Sequence, residues 1–169
     1  GSCKGGEEVF PLPNKKSDLK AMVRSLSADG STAGHLGTAW AWYLLSPNWA
    51  NAIEQTNKPA PYSELTQKNA LGGPKLRKIA VLMTDGEYNK QYSGVDSTTQ
   101  ARALCTEMKK TGIEVFTVGF ELGNSPTAMQ TLRECATSSS NFYNATNGSE
   151  LKQAFRDIAL KASPLRISQ

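Results

Sequence analysis

Ile79-Ala80-Val81-Leu82-Met83 places five apolar side chains in a row and stops abruptly at Thr84-Asp85-Gly86. A short run of this kind predicts a strand buried on both faces, as in a parallel sheet. A strand so buried needs covering layers, so the chain must supply helices on either side. Asp85 falls where the strand emerges at its carboxyl end, which is where open α/β sheets bind ligands. A carboxylate there, followed by a glycine, suits a hard cation held directly or through water. The competing reading is a plain Asp-Gly turn.

The rest of the chain repeats the pattern. Ser17-Asp18 offers an N-cap for an amphipathic helix with Leu19, Met22, Val23 and Leu26 on one face. A second helix is expected from Ser31-Thr32, with Leu36, Ala39, Trp40, Tyr43 and Leu44 at helical spacing, stopping before Pro47. Trp40 and Tyr43 fall on its apolar face and are expected to pack in the core, with Trp42 off that face. Residues 46–75 are polar and proline-rich, a long surface loop with room for a short helix at its start.

After the strand ending at Asp85, Asp96-Ser97 caps a helix bearing Ala101, Leu104, Cys105 and Met108, and Gly112 is its expected C′ residue. Ile113–Phe120 is a second strand. Pro126 opens a helix with Met129, Leu132 and Cys135. Phe142–Ala145 is a third strand. The last helix starts at Gly148-Ser149-Glu150 and turns Leu151, Ala154, Phe155 and Ile158 inward, and Leu165–Ser168 is a candidate edge strand. Alternating strands and helices predict an α/β fold, a doubly wound, mostly parallel sheet with helices on both faces. At 169 residues the chain is read as a single domain, 1–169.

Bulk properties narrow the function classes. A net charge of +4, with basic residues scattered at Lys15-Lys16, Lys75–Lys78 and Lys109-Lys110, builds no stripe for nucleic acid or an anionic membrane. No apolar run reaches bilayer-spanning length. Gly1-Ser2 reads as a cloning scar, so the natural N-terminus, with any export signal or anchor, is expected upstream. Three cysteines leave two readings open. Either Cys105 and Cys135 bridge two helices in an exported protein and Cys3 pairs elsewhere, or all three are idle cytosolic thiols.

The order Asp29-Gly30-Ser31-Thr32, then Leu82-Met83-Thr84-Asp85-Gly86, then Ile113–Phe120 resembles the von Willebrand factor A domain. Trp40–Pro47, Leu132-Arg133-Glu134-Cys135-Ala136 before Phe142-Tyr143, and Ala154-Phe155 to Leu165-Arg166-Ile167 resemble the C-terminal part of TadG-like proteins. Those are envelope proteins of the tight-adherence (Flp) pilus machinery. The resemblance runs from about Cys3 to Ser168. It implies a Rossmann-like sheet and a metal-ion-dependent adhesion site for Mg²⁺ or Mn²⁺, with Thr32 and Asp85 as ligands. It also implies a protein partner in pilus assembly or attachment and an extracytoplasmic location, which the cysteine placement fits.

The family's Asp-x-Ser-x-Ser motif is missing, so the fold is expected to lack its first strand-helix-strand and the cation site to be partial and weak. The strand ending at Thr84 would then have an open edge for another chain or copy to complete.

An enzyme is not expected. Gly30-Ser31-Thr32-Ala33-Gly34 is only superficially a nucleophile elbow, and the single histidine, His35, sits on the same helix turn rather than on a separate loop. No Walker loop is present. The alternative function is a cation-dependent adhesin domain binding an external protein, with Tyr88, Tyr92 and the 46–75 loop at its rim. Asn-x-Ser/Thr triplets at Asn144 and Asn147 are read as chance.

Overall fold

Ile79–Thr84 forms strand β1, Glu114–Phe120 β2 and Phe142–Ala145 β3, in a computed structural model that describes residues 9–26, 32–52, 57–92, 94–123 and 125–163. The strands lie in the order β1-β2-β3 and both pairs are parallel. Ala80 is opposite Val115, and Val118 is opposite Tyr143. Around them run α1 (Lys16–Ser25), α2 (Gly34–Leu45), α3 (Ser97–Lys110), α4 (Pro126–Cys135) and α5 (Gly148–Ala162). The doubly wound α/β arrangement is therefore present, with α2, α3 and α4 on one face and α5 on the other.

Local sequence explains most element ends. Asp96 accepts a hydrogen bond from the Thr99 amide at 2.8 Å, and Ser125 Oγ accepts one from Ala128 with Pro126 behind it. Asn147 Oδ1 accepts from the Ser149 and Glu150 amides, while the Glu150 carboxylate accepts from Thr146. These bonds satisfy N–H groups that a helix start otherwise leaves unpaired. Gly112, at φ 86°, takes the left-handed conformation that ends the α3 segment.

Among the described residues β2 is the one strand buried on both faces. Val115 joins Ala80, Leu82, Cys105, Met108, Ile113 and Cys135 in the core beneath α2, α3 and α4. Phe116 and Val118 face the opposite way, against Ala154 and Ile158 of α5. β1 departs from expectation here. Ala80, Leu82 and Thr84 are buried, but Val81 and Met83 are 39% and 46% exposed. α5 covers β2 and β3 and its cluster reaches only Ile79 at the start of β1, so Val81 and Met83 are left uncovered. Phe155, expected inward, is likewise exposed.

Two helices also correct the sequence reading. α2 presents His35, Thr38, Ala41, Trp42 and Leu45 inward, while Trp40 is exposed. Trp42 packs on the core and its Nε1 donates to Tyr62 Oη at 3.1 Å. Trp40, Tyr43 and Trp49 instead form an outer aromatic stack, with Tyr43 and Trp49 ring centroids 4.0 Å apart. α2 is apolar nearly all round, so periodicity could not choose its buried face. α1 buries none of its residues, and Leu19, Val23 and Leu26 are exposed. Its stripe meets no packing surface among the described residues. The loop after α2 holds 3₁₀ turns at Pro47–Trp49 and Tyr62–Thr66. The expected strand at Leu165–Ser168, Cys3, and Asp29, Gly30 and Ser31 of the threonine loop lie outside the described residues.

Cys105 and Cys135 are joined by a disulfide that staples α3 to α4. Lys109 Nζ reinforces the junction by donating to the Glu134 and Ala136 carbonyls, and burial lowers its pKa. The bridge closes a separation of 30 residues. In the chain-entropy model a loop of that size contributes about 3–4 kcal/mol. Urea unfolding with and without reductant is expected to differ by about that amount, the reduced protein unfolding first. Superimposable curves would count against the bridge.

Candidate functional site

The direction of α2 sets the site. At one end Lys78 Nζ, just before β1, donates to the Leu45 carbonyl at 2.7 Å. At the other end the Thr32 amide donates to Asn89 Oδ1 at 3.2 Å, and the Thr32 carbonyl accepts from the Lys90 amide at 3.1 Å. α2 thus runs antiparallel to β1, and Thr32 stands at the carboxyl end of the sheet. Asp85 follows the last residue of β1 and is exposed at that same end. Thr84 Oγ1 is occupied in the turn, donating to the Gly86 carbonyl at 3.0 Å.

The loop after β1 is pinned from three sides. Ser125 Oγ, the cap of α4, donates to Glu87 Oε1 at 2.5 Å. His35 Nδ1 lies 2.6 Å from Ser97 Oγ at the start of α3, with the Tyr92 ring 6.1 Å from its own. His35 is buried and engaged structurally, tying α2 to α3.

The Tyr88 ring lies on Gly34, where a Cβ would stand 2.2 Å from the ring. Only glycine leaves room for that approach. Burial pushes the Tyr88 hydroxyl up to about 12. His35–Ser97 and Gly34–Tyr88 were missed by sequence reasoning because both are long-range pairings without a local signature.

Thr32 and Asp85 supply hard oxygen donors, the type that magnesium or manganese takes and that does not favour softer metals. Their number falls short of a six-oxygen shell. Among the described residues no group of three or more His, Cys, Asp or Glu side chains could hold a metal ion.

The family model for the von Willebrand factor type A domain matches residues 50–157. The chain belongs to the von Willebrand factor type A family. Among solved structures, the pilus adhesin SpaC from Lactobacillus rhamnosus GG shares the fold with a TM-score of 0.59 at 14% identity, over 87% of this chain and 21% of that one. Proximal thread matrix protein 1 from the mussel byssus, in a structure with a zinc-occupied MIDAS motif, gives a TM-score of 0.55 at 19% identity, over 89% of this chain and 32% of that one. Our chain thus spans about a fifth to a third of the length of these structures. No curated protein matches it.

Tyr88 offers a test of this end of the domain. Its folded pKa of about 12 lies above the ordinary value of 10.0, so the folded state holds the proton more tightly. The resulting stabilisation is complete below pH 10 and is lost as pH rises from about 10 to about 12. In an ultraviolet titration of the five tyrosines, one is expected to ionise near pH 12. Gly34→Ala should displace the ring, return that tyrosine to the ordinary range and cost about 1–3 kcal/mol. A titration unaltered by Gly34→Ala would refute the packing.

Proposed function

We propose that this chain is the von Willebrand A-type portion of a TadG-like protein of the tight-adherence pilus machinery. In this reading residues 1–169 form one N-terminally incomplete domain that acts outside the cytoplasm. Its role is protein–protein interaction in pilus assembly or surface attachment, without catalysis. The observation that most supports the reading is that Thr32 and Asp85 both belong to loops at the carboxyl end of the sheet. The Cys105–Cys135 disulfide supports the location, since such bridges persist in oxidising compartments. The fold likeness to a pilus adhesin is consistent with it.

A second reading is a cation-dependent adhesin domain that grips an external protein. It is favoured by the exposure of Asp85 and by Tyr92, which is 66% exposed beside the loop. In either reading Thr32 and Asp85 hold magnesium or manganese. The bound ion would offer a positive charge with free coordination positions to a partner's acidic side chain.

Manganese titration by calorimetry, with Asp85→Ala beside the parent chain, tests the site. We expect weak binding that Asp85→Ala reduces by ~10-fold or more, since few ligands are present to compensate. Partner capture that chelation abolishes would favour the adhesin reading, and capture indifferent to chelation the scaffold role. Identical isotherms for parent and variant would remove Asp85 from the site.

A further inference from the structure

We propose that the groove between α2 and α3 is a docking site for a short amphipathic helix of a partner protein, one that carries an arginine or lysine beside its apolar stripe. The inference rests on the interaction role proposed above and names the partner's chemistry. The groove holds about 450 Å³, with Leu36, Ala39 and Tyr43 on one wall and Ala103, Leu104 and Glu107 on the other. Both helices run the same way, since His35 near the start of α2 meets Ser97 at the start of α3. Leu36 to Tyr43 and Gln100 to Glu107 each make one helical stripe about 10 Å long. Two turns of a third helix cover that length, and the small Ala39 and Ala103 let its backbone come close.

The chemistry changes along the groove. Tyr43 leads into a cluster of rings, with Trp49 stacked on it at 4.0 Å and Trp40 at 5.7 Å in a T-shaped contact. Leu36, Trp40 and Trp49 are exposed. The cluster is held in place before anything binds. Ser46 Oγ accepts from the Asn48 amide, the Ser46 carbonyl accepts from the Trp49 amide, and Pro47 opens the turn between them. Rings fixed in this way lose little conformational freedom on contact, and such rings anchor protein interfaces.

Two observations choose a cation for this end of the groove. The first is the state of the rings. Among the described residues Lys78, Arg133 and Lys161 lie over the rings of Tyr62, Phe142, Phe116 and Tyr143, and no cation lies over Trp40, Tyr43 or Trp49. Tryptophan attracts a cation to its face more strongly than tyrosine or phenylalanine does. The second is Glu107, which stands toward the same end as Tyr43. The chain has 19 lysines and arginines, and among the described residues none lines this groove. Glu107 is engaged by Lys110 in an exposed pair at 2.7 Å, of a kind that contributes little in water. An acidic or phosphate-bearing partner finds no counter-charge on these walls. A guanidinium or ammonium finds a carboxylate and open ring faces.

The probe is an alanine-based helical peptide of ~18 residues, with leucine at i, i+4 and i+7 and one arginine on the same face. Its control has glutamine in place of that arginine. Titrated into the whole chain, the arginine peptide should shift tryptophan emission to the blue and bind ~3–10-fold tighter than the control. Trp40→Leu should remove most of the shift, and Glu107→Gln or added salt should narrow the difference between the peptides. Ala103→Arg, at an exposed position of α3, fills the groove with its own side chain and should abolish binding with thermal unfolding unchanged.

Millimolar peptide that leaves the emission unchanged overturns the proposal. Equal binding of the two peptides overturns its cationic partner. A shift given by cellohexaose and by neither peptide makes the rings a sugar platform and overturns it as well. So does emission that moves to the blue with protein concentration alongside a doubled mass, which makes a second copy the occupant. The manganese titration reads Asp85 and not this groove, and Asp85→Ala should leave peptide binding unchanged, so the two proposals fail separately.

Discussion

A parallel strand can be buried only if something covers both of its faces, and β2 is the strand on which this chain meets that demand. Val115 and Thr117 pack toward α3 and α4, and Phe116 and Val118 toward α5. Everything else is positioned from β2. β1 and β3 take their register from it, and the helices between them must cross on one face. Arg77 pairs with Glu114 at the start of β2 and donates to the Lys161 carbonyl at the end of α5, fastening the second layer to the first. The loops that carry Thr32, Asp85 and Glu87 then collect at the carboxyl end because α2, α3, α4 and α5 all begin there.

Elements whose signals are local were legible in the sequence. Asp96 and Ser125-Pro126 mark helix starts because each cap side chain bonds an amide three residues on, and Gly112 marks a stop by its backbone, whereas the Asn147 cap of α5 came only with the structure. The strands were legible as short apolar runs. What failed was the choice of face. The Ile79–Met83 run reads as buried on both sides, yet burial depends on whether a helix reaches across it, and α5 does not. In α2, His35 and Thr38 look polar and are buried, because His35 meets Ser97 and the Thr38 hydroxyl donates to the Gly34 carbonyl. Trp40 looks like core and is exposed. A helix apolar nearly all round carries no directional information.

The candidate site divides in the same way. As candidates, Thr32 and Asp85 could be picked out from the resemblance of their loops to the family. Their supports could not. Asn89 holding the Thr32 amide, Tyr88 filling the space over Gly34 and Ser125 reaching Glu87 are separated in sequence by tens of residues. Nothing in either partner's neighbourhood announces the other. Such contacts arise once α2 is laid antiparallel to β1, and that depends on the sheet.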